Sequence, residues 1–540
     1  MSASASGPLH AAAAGLFLML PFLAHAQTSS SPTTEQVSPA FVVTEFSIEG
    51  PELVPRAEVK AVLKAFEGRP ITFEELRQAT VAVEALHAAK GFEVVRVLIP
   101  EQEVAPGQSL VLQVVDARLD VVTVAGNDFF PSESILRGLT VLKPGALINT
   151  RDMDRNLRLI NDNSSRVVRV NLEPSDKPGL VDAKVNVADQ DVLLKYITLD
   201  NTGTNATGDF RLGLALQHNN VFGRDHMATF QFITSPGHWS DVEVYALNYK
   251  IPFYQQDSLL ELSFTDANVN AGNLGLGGTT VSVQGAGTTA AIRWTHLLDR
   301  LAGMDQRVTV SQEYKQFVSQ VQLNGTGASL VPNLESRPTG VSYSLVDTDE
   351  GATGSLQVAY YKNLVTGGDN STAQYVLANP AAKADFDLFK FSANWSRQVL
   401  GNWRFTAQLD GQYSGDALIS GEQFGAGGIY SVRGFEERVI SGDSGLRQSL
   451  ELLGPDFSKR ISPLFERLQP VLFAEAAQLR LQQAPNNGRS EPYISSFGAG
   501  LRFAFAPRQQ IRLDLARVVS GVPIQPHGDM MLHFSFASAL

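Results

Sequence analysis

Few residues of this 540-residue chain are placed to do covalent chemistry. It contains no cysteine, so it offers no thiol nucleophile, thiolate metal site or disulfide. The histidines show no H-x-x-x-H or similar ligand spacing. Gly442-Asp443-Ser444-Gly445 copies the tetrapeptide around a serine-protease nucleophile. Leu446 follows where a glycine is expected, however, and no matching His and Asp segments accompany it, so the tetrapeptide reads as structural. Asp347-Thr348-Asp349-Glu350-Gly351 lacks the remainder of a calcium loop and reads as a turn. Gly275-Leu276-Gly277-Gly278 opens no helix after a strand, which removes a dinucleotide reading. No enzyme, cofactor, metal or nucleotide is therefore expected. A formal net charge of -12 argues against nucleic acid as a partner.

The remaining chemistry is electrostatic and centres on one arginine. Gly421 to Leu452 reads GEQFGAGGIYSVRGFEERVISGDSGLRQSLEL: two strand-like runs, GEQF and LRQSLEL, flank a glycine-rich excursion with Ser431, Val432, Arg433, Gly434 and Phe435 at its tip. Glycine suits backbone that turns sharply or lies against a wall. A guanidinium at such a tip is either solvated or enclosed, and an enclosed one needs an acid.

If it is enclosed, the candidate enclosure is the flanking chain. From Gln190 to Leu540 no segment of useful length has helical periodicity. Phe210, Leu212, Leu214 and Leu216 alternate with polar or small residues, as do Ile511, Leu513 and Leu515 with Arg512, Asp514 and Ala516. Leu501, Phe503 and Phe505, then Leu532, Phe534 and Phe536, repeat the pattern. Period 2 with one apolar face suits a membrane strand, and at ~10 residues per tilted strand plus connections the length suits a transmembrane β-barrel of roughly 16 strands. Asn201 to Gly208 and Asn219 to Asp225 read as connections, Tyr249 to Phe253 as a tight turn, and Asn268 to Thr288 and Val321 to Thr339 as long outer loops.

Upstream, residues 1–26 read as a signal peptide: Ala11 to Leu23 is apolar but too short to span a membrane, and Ala24-His25-Ala26 is a small-x-small cleavage site before Gln27. Residues 27–40 are Ser/Thr/Pro-rich and read as a disordered linker with no room for a substantial plug helix. Residues 41–116 and 117–189 read as two copies of a strand-helix-helix-strand-strand unit. In the first, Thr72 and Glu75 form a capping box ahead of Leu76, Ala79, Val83 and Leu86. In the second, Thr150 is the expected cap. Ala105-Pro106-Gly107 and Lys177-Pro178-Gly179 break the two units at the same place. Each unit leaves a sheet edge open to strand addition.

The stretch Gly421 to Leu452 resembles the signature of the two-partner secretion transporters, the outer-membrane haemolysin secretion/activation family, within the outer-membrane insertase superfamily. Ser431 to Phe435 match the tip of a loop folded back into the barrel, and GEQF and GDSG match this family in particular. LDNTGTNATGDFRLGLALQHNNVFGRDHMATFQF resembles the opening of the same barrel, and the repeated units resemble POTRA domains. What the resemblance implies is a mainly β protein, about 16 strands preceded by two POTRA domains, in the bacterial outer membrane with the POTRA domains in the periplasm. It implies transport of a secreted exoprotein, whose N-terminal secretion domain docks on the POTRA pair before the unfolded chain threads the lumen. The alternative on the same plan is an assembly factor for other barrels.

The resemblance also points to a partner for Arg433. Val471, Phe473, Glu475, Ala477 and Leu479 share one side of a strand, and their alternation does not say which side faces the lumen. The superfamily carries F-x-D-x-G here, with an acid that meets the loop arginine inside the barrel. Phe473-Ala474-Glu475-Ala476-Ala477 occupies that position, which turns Glu475 inward toward Arg433 with Phe473 and Ala477 beside it.

Overall fold

A computed structural model describes residues 41–102, 109–204, 207–269, 272–276, 279–283, 286–318, 332–347, 351–483, 490–505 and 508–540. The expected cleavage site at Ala24, Ala26 and Gln27, the linker to residue 40, the Ala105-Pro106-Gly107 turn and Thr348 to Glu350 lie outside the described residues.

The first α/β unit places α1 (Arg56–Leu63) and α2 (Phe73–Ala89) against a sheet ordered Phe46–Glu49, Leu110–Val115, Arg96–Leu98. Phe41–Val42 leaves this sheet to pair with Pro70–Ile71. The capping box forms: Glu75 N donates to Thr72 Oγ1 and Thr72 N to Glu75 Oε2. The second unit repeats the plan with α3 (Ser132–Gly138), α4 (Thr150–Ile160) and a sheet ordered Arg118–Ala125, Leu180–Asp189, Arg166–Pro174. Its α4 cap is Asn149, whose Oδ1 accepts from the Arg151 and Asp152 N–H groups; Thr150, the expected cap, is the first helical residue and bonds back to Gly91 O of the first unit. Asn reaches those amides as readily as Thr, and composition does not choose between adjacent polar residues.

The rest of the chain closes into an antiparallel barrel of 16 strands. In order they are β1 (Leu193–Asp200), β2 (Arg211–Val221), β3 (His226–Thr234), β4 (Glu243–Phe253), β5 (Ser258–Ala267), β6 (Gly287–Leu301), β7 (Met304–Phe317), β8 (Leu334–Ser336 and Pro338–Asp347), β9 (Ala352–Asn363) and β10 (Asp387–Val399). Then follow β11 (Trp403–Tyr413), β12 (Ser444–Leu453), β13 (Arg467–Arg480), β14 (Tyr493–Ala504), β15 (Gln509–Ser520) and β16 (Met530–Ala539). Closure runs from Ser535↔Asp200 to Ala539↔Tyr196 between β16 and β1. Leu214, Leu216, Phe497, Leu501, Leu515 and Leu532 are exposed on the outer surface, while their sequence neighbours turn inward. Among the described residues no helix is long and apolar enough to cross a membrane; the crossing is made by strands.

Three expected connections move. Tyr249 to Phe253 is the end of β4, with Pro252 opposite Leu259, and the turn is Tyr254 to Asp257. The proline is tolerated because it lies at the strand's end, where few ladder bonds remain to lose. Leu334–Ser336, assigned to a loop, pairs with Phe317 to Lys315 of β7 in the wall. Asn268 to Thr288 holds a hairpin of its own, Gly272–Leu276 with Thr279–Val283.

Candidate functional site

The connection between β11 and β12 is the site. It runs from Ser414 to Asp443, not from 421 to 452, because Ser444–Leu453 is hydrogen-bonded into the wall between β11 and β13. GEQF is no wall strand either: Ser420–Glu422 is a 3-10 turn, and Phe424–Ala426 pairs with Ile440–Gly442 to make a short hairpin inside the barrel. Local alternation cannot distinguish a wall strand from a two-stranded stalk within the lumen.

At the tip, Arg433 is fully buried. Its backbone N–H donates to Glu475 Oε2 at 2.7 Å and its Nε to Glu475 Oε1 at 3.0 Å, with Nη2 also bonded to that oxygen. The guanidinium carbon lies 3.6 Å from the centre of the Phe473 ring, close enough for cation–π attraction. Nη1 donates to Asp514 Oδ2 at 3.1 Å, and Nη2 pairs with Glu451 Oε1 at 2.6 Å. Arg502 and Arg512 complete the cluster, each within 2.6 Å of Asp514. Three arginines thus face three carboxylates. Such a balanced, hydrogen-bonded set is what allows charge to be buried without a large desolvation penalty.

The wall residues come from successive strands: Glu451 on β12, Glu475 on β13, Arg502 on β14, Arg512 and Asp514 on β15. On β16, His533 Nε2 accepts from the Gly434 N–H at 2.7 Å. Gly434 has φ +93°, and a Cβ there would lie 3.2 Å from that of Ala516, so the tip requires glycine for its backbone and is pressed against a small wall residue. Val432 and Phe435 are buried with Ala426, Ile440, Ala477, Leu479, Ile494 and Val518. Ser431 Oγ accepts from Gly427 N, holding the tip in its turn. Ala477 therefore belongs to the apolar seat of the loop. This explains the untidy alternation of β13: its inner face is apolar because the loop keeps it dry.

A second anchor holds the base of the loop to the far wall. Glu422 is buried and meets Lys315 Nζ of β7 at 3.1 Å, while Ser336 Oγ of β8 donates to it at 2.5 Å. The GDSG aspartate serves the architecture, since Asp443 accepts from Leu418 N, Gln423 Nε2 and Gln482 N and so closes the base. Gly445 lies so close to Leu479 that a Cβ would come within 2.2 Å of its side chain. Above the base sits α5 (Thr372–Ala378), in the connection after β9. There Asn379 Nδ2 donates to Leu418 O, and Tyr375 packs with Leu418 and Ile419.

The structure brings together Arg433, Phe473 and Glu475, and seats Ala477 beside them. Sequence reasoning missed Glu451, Arg502, Arg512, Asp514, His533 and the role of Glu422. Arg512 and Asp514 carried a signal, since they hold the polar places between Ile511, Leu513 and Leu515. Nothing local tied them to a loop some eighty residues away.

A closed barrel with a loop latched to its inner wall, preceded by two α/β units, has the plan of an outer-membrane transporter. The family model described as haemolysin secretion/activation protein ShlB/FhaC/HecB matches residues 181–503, and a ShlB-type POTRA domain matches residues 41–117. The chain belongs to this haemolysin secretion/activation family. It is similar to the outer membrane transporter CdiB of Dickeya dadantii (strain 3937), 24% identical over 422 residues that cover 75% of this chain and 71% of that protein. It is also similar to the heme/hemopexin transporter protein HuxB of Haemophilus influenzae, 21% identical over 510 residues, covering 91% and 86%. In fold it matches CdiB from Escherichia coli with a TM-score of 0.76 at 19% identity, over 95% of this chain and 93% of that one. It is thus an outer-membrane transporter of two-partner secretion with its POTRA region in the periplasm.

Proposed function

We propose that the two α/β units capture the N-terminal secretion domain of one large exoprotein, which then threads unfolded through the lumen once the Ser414–Asp443 loop leaves it. An unfolded chain carries unpaired backbone groups, and the edge strands Arg96–Leu98 and Arg118–Ala125 offer matching ones. No nucleotide is invoked. Folding of the exoprotein outside the cell prevents its return and supplies direction.

The observation that supports this reading is the latch: a fully buried arginine that ties the Ser414–Asp443 loop to the inner wall through Glu475, Glu451 and Asp514. It makes Arg433 the residue whose release accompanies transport. In cells that also express the cognate exoprotein, Arg433→Ala should cut its appearance in the medium. The barrel should still assemble and show heat-modifiable mobility. Undiminished secretion by that variant would refute the proposal.

A further inference from the structure

The periplasmic connections of the barrel are short except one. Ala302 and Gly303 alone join β6 to β7, whereas Gly454 to Glu466 separates β12 from β13. Short periplasmic turns are the rule for such barrels, so this length needs a cause. The segment does not close the lumen. It folds onto the outer wall: Phe465 stacks on Phe505, with ring centres 5.1 Å apart and planes 29° from parallel, and meets Phe503 edge-on at 6.3 Å. Phe503 and Phe505 continue the lipid-facing series of Leu501 and Phe497 on β14, so the trio sits at the periplasmic rim of the apolar band. Aromatic rings collect at that depth because their bodies are apolar and the surroundings half wet.

Beyond the trio, a one-turn helix (Ser458–Ile461) and the following turn present Ile461 and Leu464, 62% and 72% exposed. Lys459 and Arg460 are exposed beside them. Asp456 is occupied within the segment, accepting from Ser458 N and Leu468 N, which fixes the shape of the turn. Two large aliphatic side chains held in water next to two cations, at the level of the phospholipid headgroups, are unfavourable in a soluble setting and favourable in one other place.

We infer that residues 456–466 form a foot on the inner leaflet, with Ile461 and Leu464 among the acyl chains and Lys459 and Arg460 on phospholipid phosphates. The foot fixes the depth of β12 and β13, the strands that carry Glu451 and Glu475.

The test places an indole in the foot. Full-length protein with Leu464→Trp, reconstituted into bilayers of brominated or plain phospholipid, is compared with the parent so that its four native tryptophans are subtracted. The added indole should emit to the blue and lose most of its intensity in the brominated bilayer. Emission typical of water, unchanged by bromine, overturns the inference. Adding Lys459→Glu and Arg460→Glu should shift the same emission to the red and weaken the quenching, with heat-modifiable mobility reporting that the barrel remains folded. Identical spectra with and without the charge reversals would remove the phosphate contact. Neither result touches the secretion reading, which rests on Arg433.

Discussion

At the scale of single residues, the latch is a problem of charge balance. Removing Arg433 leaves Glu451, Glu475 and Asp514 facing one another with only Arg502 and Arg512 to offset them. Breaking a buried pair in this way destabilises by about 3–5 kcal/mol, here drawn from loop docking rather than from the wall, whose ladders stay paired. Arg433→Ala should therefore raise the conductance of the purified protein in planar bilayers, whereas conductance equal to that of the parent would place the barrier elsewhere. Glu422→Gln keeps the size of the second anchor and removes its charge. A charged hydrogen bond contributes about 1.5–3 kcal/mol, so brief openings should become more frequent without permanent loss of closure. The loop tip was legible as a glycine-rich excursion, whereas Glu475 was turned toward Arg433 only by the resemblance to the secretion family, since the alternation of β13 leaves its lumen side open. The opposing network was not, since lumen-facing Asp514 and Glu451 look like any other polar places in alternating strands, and pairing across eighty residues leaves no local trace.

At the scale of elements, the first turn of α2 gives a proton-linked handle. The Thr72 backbone N–H, followed by Arg69, holds the Glu75 carboxyl below its usual value. A depressed value in the folded state means that the stabilising contribution is complete above the ordinary glutamate range and is lost as the pH falls through the folded value. The protection factors of amides in the first turn of α2, corrected for intrinsic exchange, should fall on acidification, and Glu75→Ala should flatten that dependence; an equally steep profile in the variant would place the titrating group elsewhere. At the loop base, Asp443→Ala strands the N–H groups of Leu418 and Gln482. Protease should then cut within residues 414–443 of the folded barrel. The four helices of the α/β units, the capping box and wall strands such as β2, β14, β15 and β16 could be read from the sequence. The stalk Phe424–Ala426 with Ile440–Gly442 could not, because its partner is itself and its surroundings are other strands.

At the scale of the whole molecule, the second α/β unit is bolted to the barrel. Arg166 and Asp225 form an ion pair with both side chains fully buried, roofed by Ser134 and Tyr254, and Phe130 lies under the guanidinium. Burial pushes the Tyr254 phenol up, so it remains a donor to Asp225. Further along α4, Arg155 joins Asp257 in the turn after β4 and Asp299 near the end of β6. Asp225→Asn leaves Arg166 without a counter-charge, and the joint should loosen by about 3–5 kcal/mol. Hydrogen exchange should rise together in α3, α4 and the β2–β3 turn while the barrel wall is unchanged; a rise confined to the turn would show that the unit is held mainly by other contacts.

The dry inner face of β13 has an effect that outlasts each passage. With the loop displaced, Ala477 and Leu479, together with Ile494 and Val518, would border a wet channel beside stranded carboxylates. Water penalises both conditions at once. On the proposed release of the loop, reburial of that strip and recapture of the guanidinium would draw the stalk home once the cargo's tail clears, so the gate would reset with no fuel beyond the discomfort of its own empty seat.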